Sequence, residues 1–133
     1  MKKFFLIMIC AQLLSGCAAL STVRGWIPSF WDDNQSAKIV DVQLRVDRIN
    51  CDQPQLAQAE RIRDDLRWFE LYSNSKGSRQ ADVLRLIKPM QDTVDDWYRR
   101  SLDQQGSKGY CEIKKKILQS QSERAASAVL GRF

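Results

Sequence analysis

Apolar residues recur along the chain at intervals of three and four, the signature of helices that bury one face. Ile39, Val42, Val46 and Ile49 are spaced 3, 4, 3, with Asp41, Arg45 and Arg48 on the other side, and predict a first helix over about 35–49. Val40 and Leu44 are read as widening its apolar face, and Asp32-Asp33-Asn34 offers N-cap candidates with negative charge at the helix start. Asn50-Cys51-Asp52 breaks the pattern; Asp52 or Gln53 is then the cap and Pro54 the first turn of a second helix over about 54–73, striped by Leu56, Ala59, Ile62, Leu66, Phe69 and Tyr72, with Trp68 and Leu71 flanking. Asn74 to Gly77 is a turn, and Ser78 a candidate cap for a third helix over about 79–103. Its seam is Val83, Ile87, Met90, Val94 and Trp97, spaced 4, 3, 4, 3 as in packed helices, and Pro89 inside it is expected to kink or split it. After a loop with Gly106 and Gly109, a fourth helix over about 109–130 carries Tyr110, Ile113, Ile117 and Leu118, then an Ala-rich half that can pack closely or stay exposed. No strand pattern competes, and short loops make neighbouring helices antiparallel. The expected fold is all-α, an antiparallel up-and-down four-helix bundle occupying 34–133.

The first quarter of the chain departs from this pattern. Lys2 and Lys3 precede an apolar run from Phe4 to Leu14, interrupted only by Gln12, and small residues follow. That is a secretory signal, too short for a transmembrane helix, which needs about 20 apolar residues. Its last four residues, Leu14-Ser15-Gly16-Cys17, resemble the lipobox of bacterial lipoproteins. The resemblance implies a diacylglyceryl thioether on Cys17, cleavage of the signal peptide 1–16, and acylation of the new amino end. It also implies outer-membrane, periplasm-facing placement, because residue 18 is Ala rather than the Asp that retains such lipoproteins in the inner membrane. The bilayer is then the first partner, held through the acylated Cys17, since each buried methylene contributes about 0.8 kcal/mol.

Residues 17–33 read as the lipidated cysteine and a tether. Ala18 to Gly25 spans at most about 27 Å when extended. Trp26, Phe30 and Trp31 either sit at the headgroup level or fold back and plug one end of the bundle; the closeness of Trp31 to the first helix favours the latter.

The cysteines now sort themselves. Cys10 leaves with the signal and Cys17 is lipidated, so Cys51 and Cys111 remain as an even pair in an oxidising compartment. A disulfide between them stabilises by about 4 kcal/mol in the chain-entropy relation; two buried free thiols are the alternative. The topology supports the bond, because an up-and-down bundle puts the end of helix one and the start of helix four at the same end.

Composition excludes much chemistry. With no histidine among 133 residues, a Ser-His-Asp triad, a Cys-His pair and imidazole-bound zinc are ruled out. Asp64-Asp65 and Asp95-Asp96 are paired acids, but neighbours on a helix point about 100° apart, and both pairs have basic neighbours, so they read as surface ion pairs. No phosphate loop, metal spacing or nucleophile elbow is present, and nothing implies a cofactor or an enzyme. Loss of Lys2 and Lys3 leaves 19 basic residues against 16 acidic, a net charge of +3, too mild to argue for nucleic acid. Lys114, Lys115 and Lys116 are a candidate basic patch for anionic lipid, lipopolysaccharide or an acidic partner, with a solvated face as the plainer reading.

The stretch 28–36 and the tail 125–133 loosely resemble small lipoproteins of phages of Gram-negative bacteria, a resemblance that implies no site residues. The expected role is a binding or structural module of the envelope with a protein partner. The alternative is a phage-type lysis lipoprotein, similar in anchoring to the outer-membrane spanin subunit, or a superinfection-exclusion lipoprotein.

Overall fold

The computed structural model describes residues 32–103 and 106–131. Four α-helices follow one another: α1 (Asp33–Asp47), α2 (Gln55–Ser75), α3 (Ala81–Leu102) and α4 (Lys108–Leu130), with a 3-10 turn at Ser78–Gln80 before α3. No strand occurs among the described residues. Each helix packs on its chain neighbours, and α1 closes the ring against α4. Cross-bonds run antiparallel throughout: Gln35 to Ser73 between α1 and α2, Arg63 to Asp95 between α2 and α3, Lys114 to Asp96 between α3 and α4, and Gln119 to Asp47 between α4 and α1.

The core follows the striped positions. Ile39, Val42 and Val46 of α1, Ile62, Leu66 and Phe69 of α2, and Val83, Ile87, Met90, Val94 and Trp97 of α3 are all buried. The Ala-rich half of α4 packs closely: Ala125, Ala126 and Val129 are buried with Leu118 and Cys111. Small side chains let the α4 backbone approach its neighbours where larger ones would hold it off.

Four sequence expectations need correction. Val40 and Leu44 do not widen the core; they are exposed, because at about 100° per residue they lie some 160–200° from Val42. Ile113 and Ile117 are likewise exposed, about 140° and 100° from the buried Leu118. Neither Asp52 nor Gln53 caps α2: Pro54 occupies the N-cap without a side-chain bond. The Gln58 amide instead ties α2 to the preceding loop, accepting from the Asn50 N–H and donating to the Asn50 carbonyl. Of the two outcomes expected at Pro89, kinking or splitting, the split is overturned: α3 continues from Ala81 to Leu102. The Thr93 hydroxyl donates to the Pro89 carbonyl at 2.9 Å, one turn on. Gly77 at φ 88° turns the chain out of α2, a backbone shape that L side chains rarely adopt.

Candidate functional site

The described part of the chain begins at Asp32, which does two jobs. One carboxylate oxygen accepts from the backbone N–H groups of Asn34 and Gln35, at 3.0 and 3.1 Å, capping α1. The same carboxylate receives the Tyr72 hydroxyl at 3.1–3.2 Å and the Lys76 ammonium at 3.2 Å from the last turns of α2. Burial pushes the Asp32 carboxyl up, but the Gln35 N–H, Lys76 and Tyr72 together overcome it and hold it below the ordinary 3.8. The point at which the chain enters the bundle is thereby fixed to α2.

A ladder of rings and cations continues from there. Tyr72 stacks on Trp68 with ring centres 4.9 Å apart and planes within 7°. The Lys76 ammonium stands 4.9 Å from the Tyr72 ring and that of Lys38 5.2 Å from the Trp68 ring. Lys38 and Arg45 of α1 both reach Asp65 of α2. Beneath this face lies a buried polar knot: the Gln35 amide donates to Ser73 Oγ at 2.8 Å and to Gln80 Oε1 at 3.0 Å.

The opposite end of the bundle is closed by the disulfide. Cys51, just after α1, and Cys111, in the first turn of α4, are bonded with their Cα atoms 5.7 Å apart. The buried Trp97 indole donates to Gln55 at 3.0 Å, and the Gln55 amide donates to the Gly106 carbonyl at 3.1 Å, joining α2, α3 and the loop before α4.

The predicted basic run fans apart. Lys114 turns to α3, its ammonium 2.6 Å from Asp96 and 5.2 Å from the Tyr110 ring. Burial pushes its pKa down, but Asp96 and Tyr110 carry it above the ordinary 10.5. Lys115 turns to α1 and donates to the Ile49 carbonyl at 2.8 Å, satisfying an acceptor just past the helix end. Lys116 is exposed. Two of the three ammonium groups are thus engaged inside the fold.

The paired acids also face different neighbours, though more across helices than along them. Asp65 meets α1, Asp95 meets Arg63 of α2 at 2.8 Å, and Asp96 meets Tyr110 and Lys114 of α4. A groove of about 540 Å³ between α2 and α3 is lined by Arg63, Arg67, Glu70, Lys88, Gln91 and Asp95, in which charges of both signs already pair.

Cys17, Trp26, Phe30 and Trp31 lie outside the described residues. The ring-and-cation ladder was missed by sequence reasoning, which placed Trp68 and Leu71 beside the core. Counting angles from Leu66 finds them: Trp68 lies about 200° and Leu71 about 140° around the helix, on its outer side. Among the described residues, no helix is long and apolar enough to cross a membrane. The chain matches no protein-family model, no curated protein and no solved structure.

Proposed function

We propose that the chain is a lipoprotein of the Gram-negative envelope, anchored through acylated Cys17 and facing the periplasm from the outer membrane. Its helical domain is a binding or structural module rather than an enzyme. The observation that carries this reading is the run from Lys2 to Cys17, a basic start and a short apolar core ending in Leu14-Ser15-Gly16-Cys17. The fold supports it in two ways. Asp32 caps α1 and is fastened to Tyr72 and Lys76, so the chain that precedes it is tied to α2 at its point of entry. Asp65, Asp95 and Asp96 pair with cations at three different helix interfaces, and Glu70 and Asp95 of the α2–α3 groove are ion-paired with Arg67 and Arg63, which suits a binding surface better than acid–base chemistry.

Intact-mass spectrometry of the chain purified from a Gram-negative host tests the proposal. The expected product begins at Cys17 and carries a diacylglyceryl thioether and an amide-linked acyl chain. The Cys17→Ser variant is expected to keep residues 1–16. A wild-type product with a free thiol at residue 17, or one cut elsewhere, refutes the reading.

A further inference from the structure

We infer that the outer face of α2 at the tether-bearing end, formed by Trp68, Leu71 and Tyr72 with Lys38 and Lys76, is a bilayer-contact face seated at the level of the phospholipid headgroups. This rests on the lipoprotein reading above and adds an orientation to it. Trp68 is 41% exposed and Leu71 54%, so a large aromatic and a leucine stand in solvent one turn apart on α2. Trp68 and Tyr72 stack in parallel with an ammonium over the outer ring face of each, so this stack offers its ring edges, beside Leu71, to the surroundings. Tryptophan and tyrosine belong at the membrane–water interface, where an apolar ring body meets lipid and the polar tip stays wet. The methylene stems of Lys38 and Lys76 add apolar surface beside the rings, while their ammonium groups are held by Asp65 and Asp32.

Position selects the occupant. Tyr72 is bonded to Asp32, so the segment leading to Cys17 departs beside this face. The other exposed large apolar residues among those described are Val40 and Leu44 on the outer side of α1, Ile117 on α4, and Leu56, Leu102 and Ile113 at the end closed by the disulfide; none of them is an aromatic. Charge does not add to this selection: Lys38, Arg45 and Lys76 are ion-paired with Asp32 and Asp65, and the exposed Asp64 lies on the same outer side of α2. Geometry then sets the tilt. Trp68 lies seven residues before the last residue of α2, about 10 Å along the axis. The headgroup layer is only about 5–8 Å deep on each side of the hydrocarbon. The bundle therefore leans, with α2 toward the lipid, instead of standing upright on its tether.

The chain's four tryptophans make the test direct. With Trp26→Phe and Trp31→Phe in place, only Trp68 and the fully buried Trp97 emit. The acylated full-length chain is reconstituted into vesicles of phosphatidylethanolamine with a minority of phosphatidylglycerol, brominated on the acyl chain near the glycerol. The Trp68 share of the emission is read by difference from a further Trp68→Phe variant. The expected result is loss of that share on brominated lipid and its protection from aqueous iodide. Vesicle-bound, acylated chain whose Trp68 stays bright and open to iodide overturns this inference and leaves the lipoprotein reading standing. Protection from iodide without quenching by bromine overturns it as well, since protein and not lipid then covers the face. A free Cys17 thiol in the same sample overturns both readings at once.

Discussion

Removing the Cys51–Cys111 bond is expected to lower the stability of the domain by about 4 kcal/mol. The bond joins residues 60 apart in sequence, and closing such a loop in the unfolded chain removes about 14 cal/mol/K of conformational entropy, or about 4 kcal/mol at 25 °C. Little of the effect comes from the folded side. Lys115 still holds the Ile49 carbonyl and Gln119 still holds Asp47 across the same pair of helices, so α1 and α4 stay docked. Cys111 is fully buried, so alanine is the better replacement; serine would bury a hydroxyl. The assay is urea unfolding of Cys51→Ala/Cys111→Ala and wild type, followed by far-ultraviolet circular dichroism. With a slope of about 2 kcal/mol per molar urea, the midpoint should fall by about 2 M, with the native helical signal unchanged. Each single variant should cost nearly as much as the double, because either one removes the cross-link. A loss below about 1 kcal/mol, or single-variant losses that simply add, would show that packing of the thiols and not loop closure sets the effect, and would refute the reasoning.

Other outcomes follow from the same structure. Trp97→Ala should cost about 3–5 kcal/mol, and Trp97→Phe clearly less but still measurably, since Gln55 then loses its indole donor; thermal unfolding ranks the two. Gln35→Ala should cost about 1–3 kcal/mol by stranding Ser73 and Gln80 in a buried site, checked by urea midpoint, whereas Gln58→Ala in the first turn of α2, where water can reach the freed Asn50 backbone, should cost about 1 kcal/mol or less. Acid should destabilise through Asp96. Lys114 and then Tyr110 hold its folded pKa below 3.8, so the stabilisation is complete above that value and disappears as pH falls through the folded pKa; Asp96→Asn should flatten this limb of the stability–pH curve. Alkali should destabilise through Tyr110 and Lys114. Both titrate higher in the fold than their ordinary 10.0 and 10.5, so this stabilisation is present below those values and fades as pH climbs through the folded ones, and Tyr110→Phe should remove the tyrosine part.

Repeating stripes made the bundle legible. The positions of Ile39, Val42 and Val46, or of Ile87, Met90, Val94 and Trp97, have one low-energy use, which is to face a common core. Chain direction then placed Cys51 beside Cys111. The errors arose where hydrophobicity was read without angle. Leu44, Trp68 and Ile117 are as apolar as their buried neighbours, but the helix turns them outward. Polar detail was illegible for a different reason. Asp65 sits within reach of Arg61 on its own helix, yet its partners are Lys38 and Arg45 of α1, and only the packing of two helices decides that choice. Gln35 is similar: nothing nearby in sequence marks it for burial, because Ser73 and Gln80 come from elsewhere in the chain.

An even number of antiparallel helices has a practical corollary. The chain leaves the bundle after Leu130 at the same end where Asp32 enters it. A tag or bait fused at the C-terminus is therefore delivered to the Asp32 end, on the helix diagonally across the ring from α2. Probes meant to sample the aqueous side belong instead in the turn around Asn50 to Gln53 or in the loop before Ser107, on the rim that the disulfide holds shut.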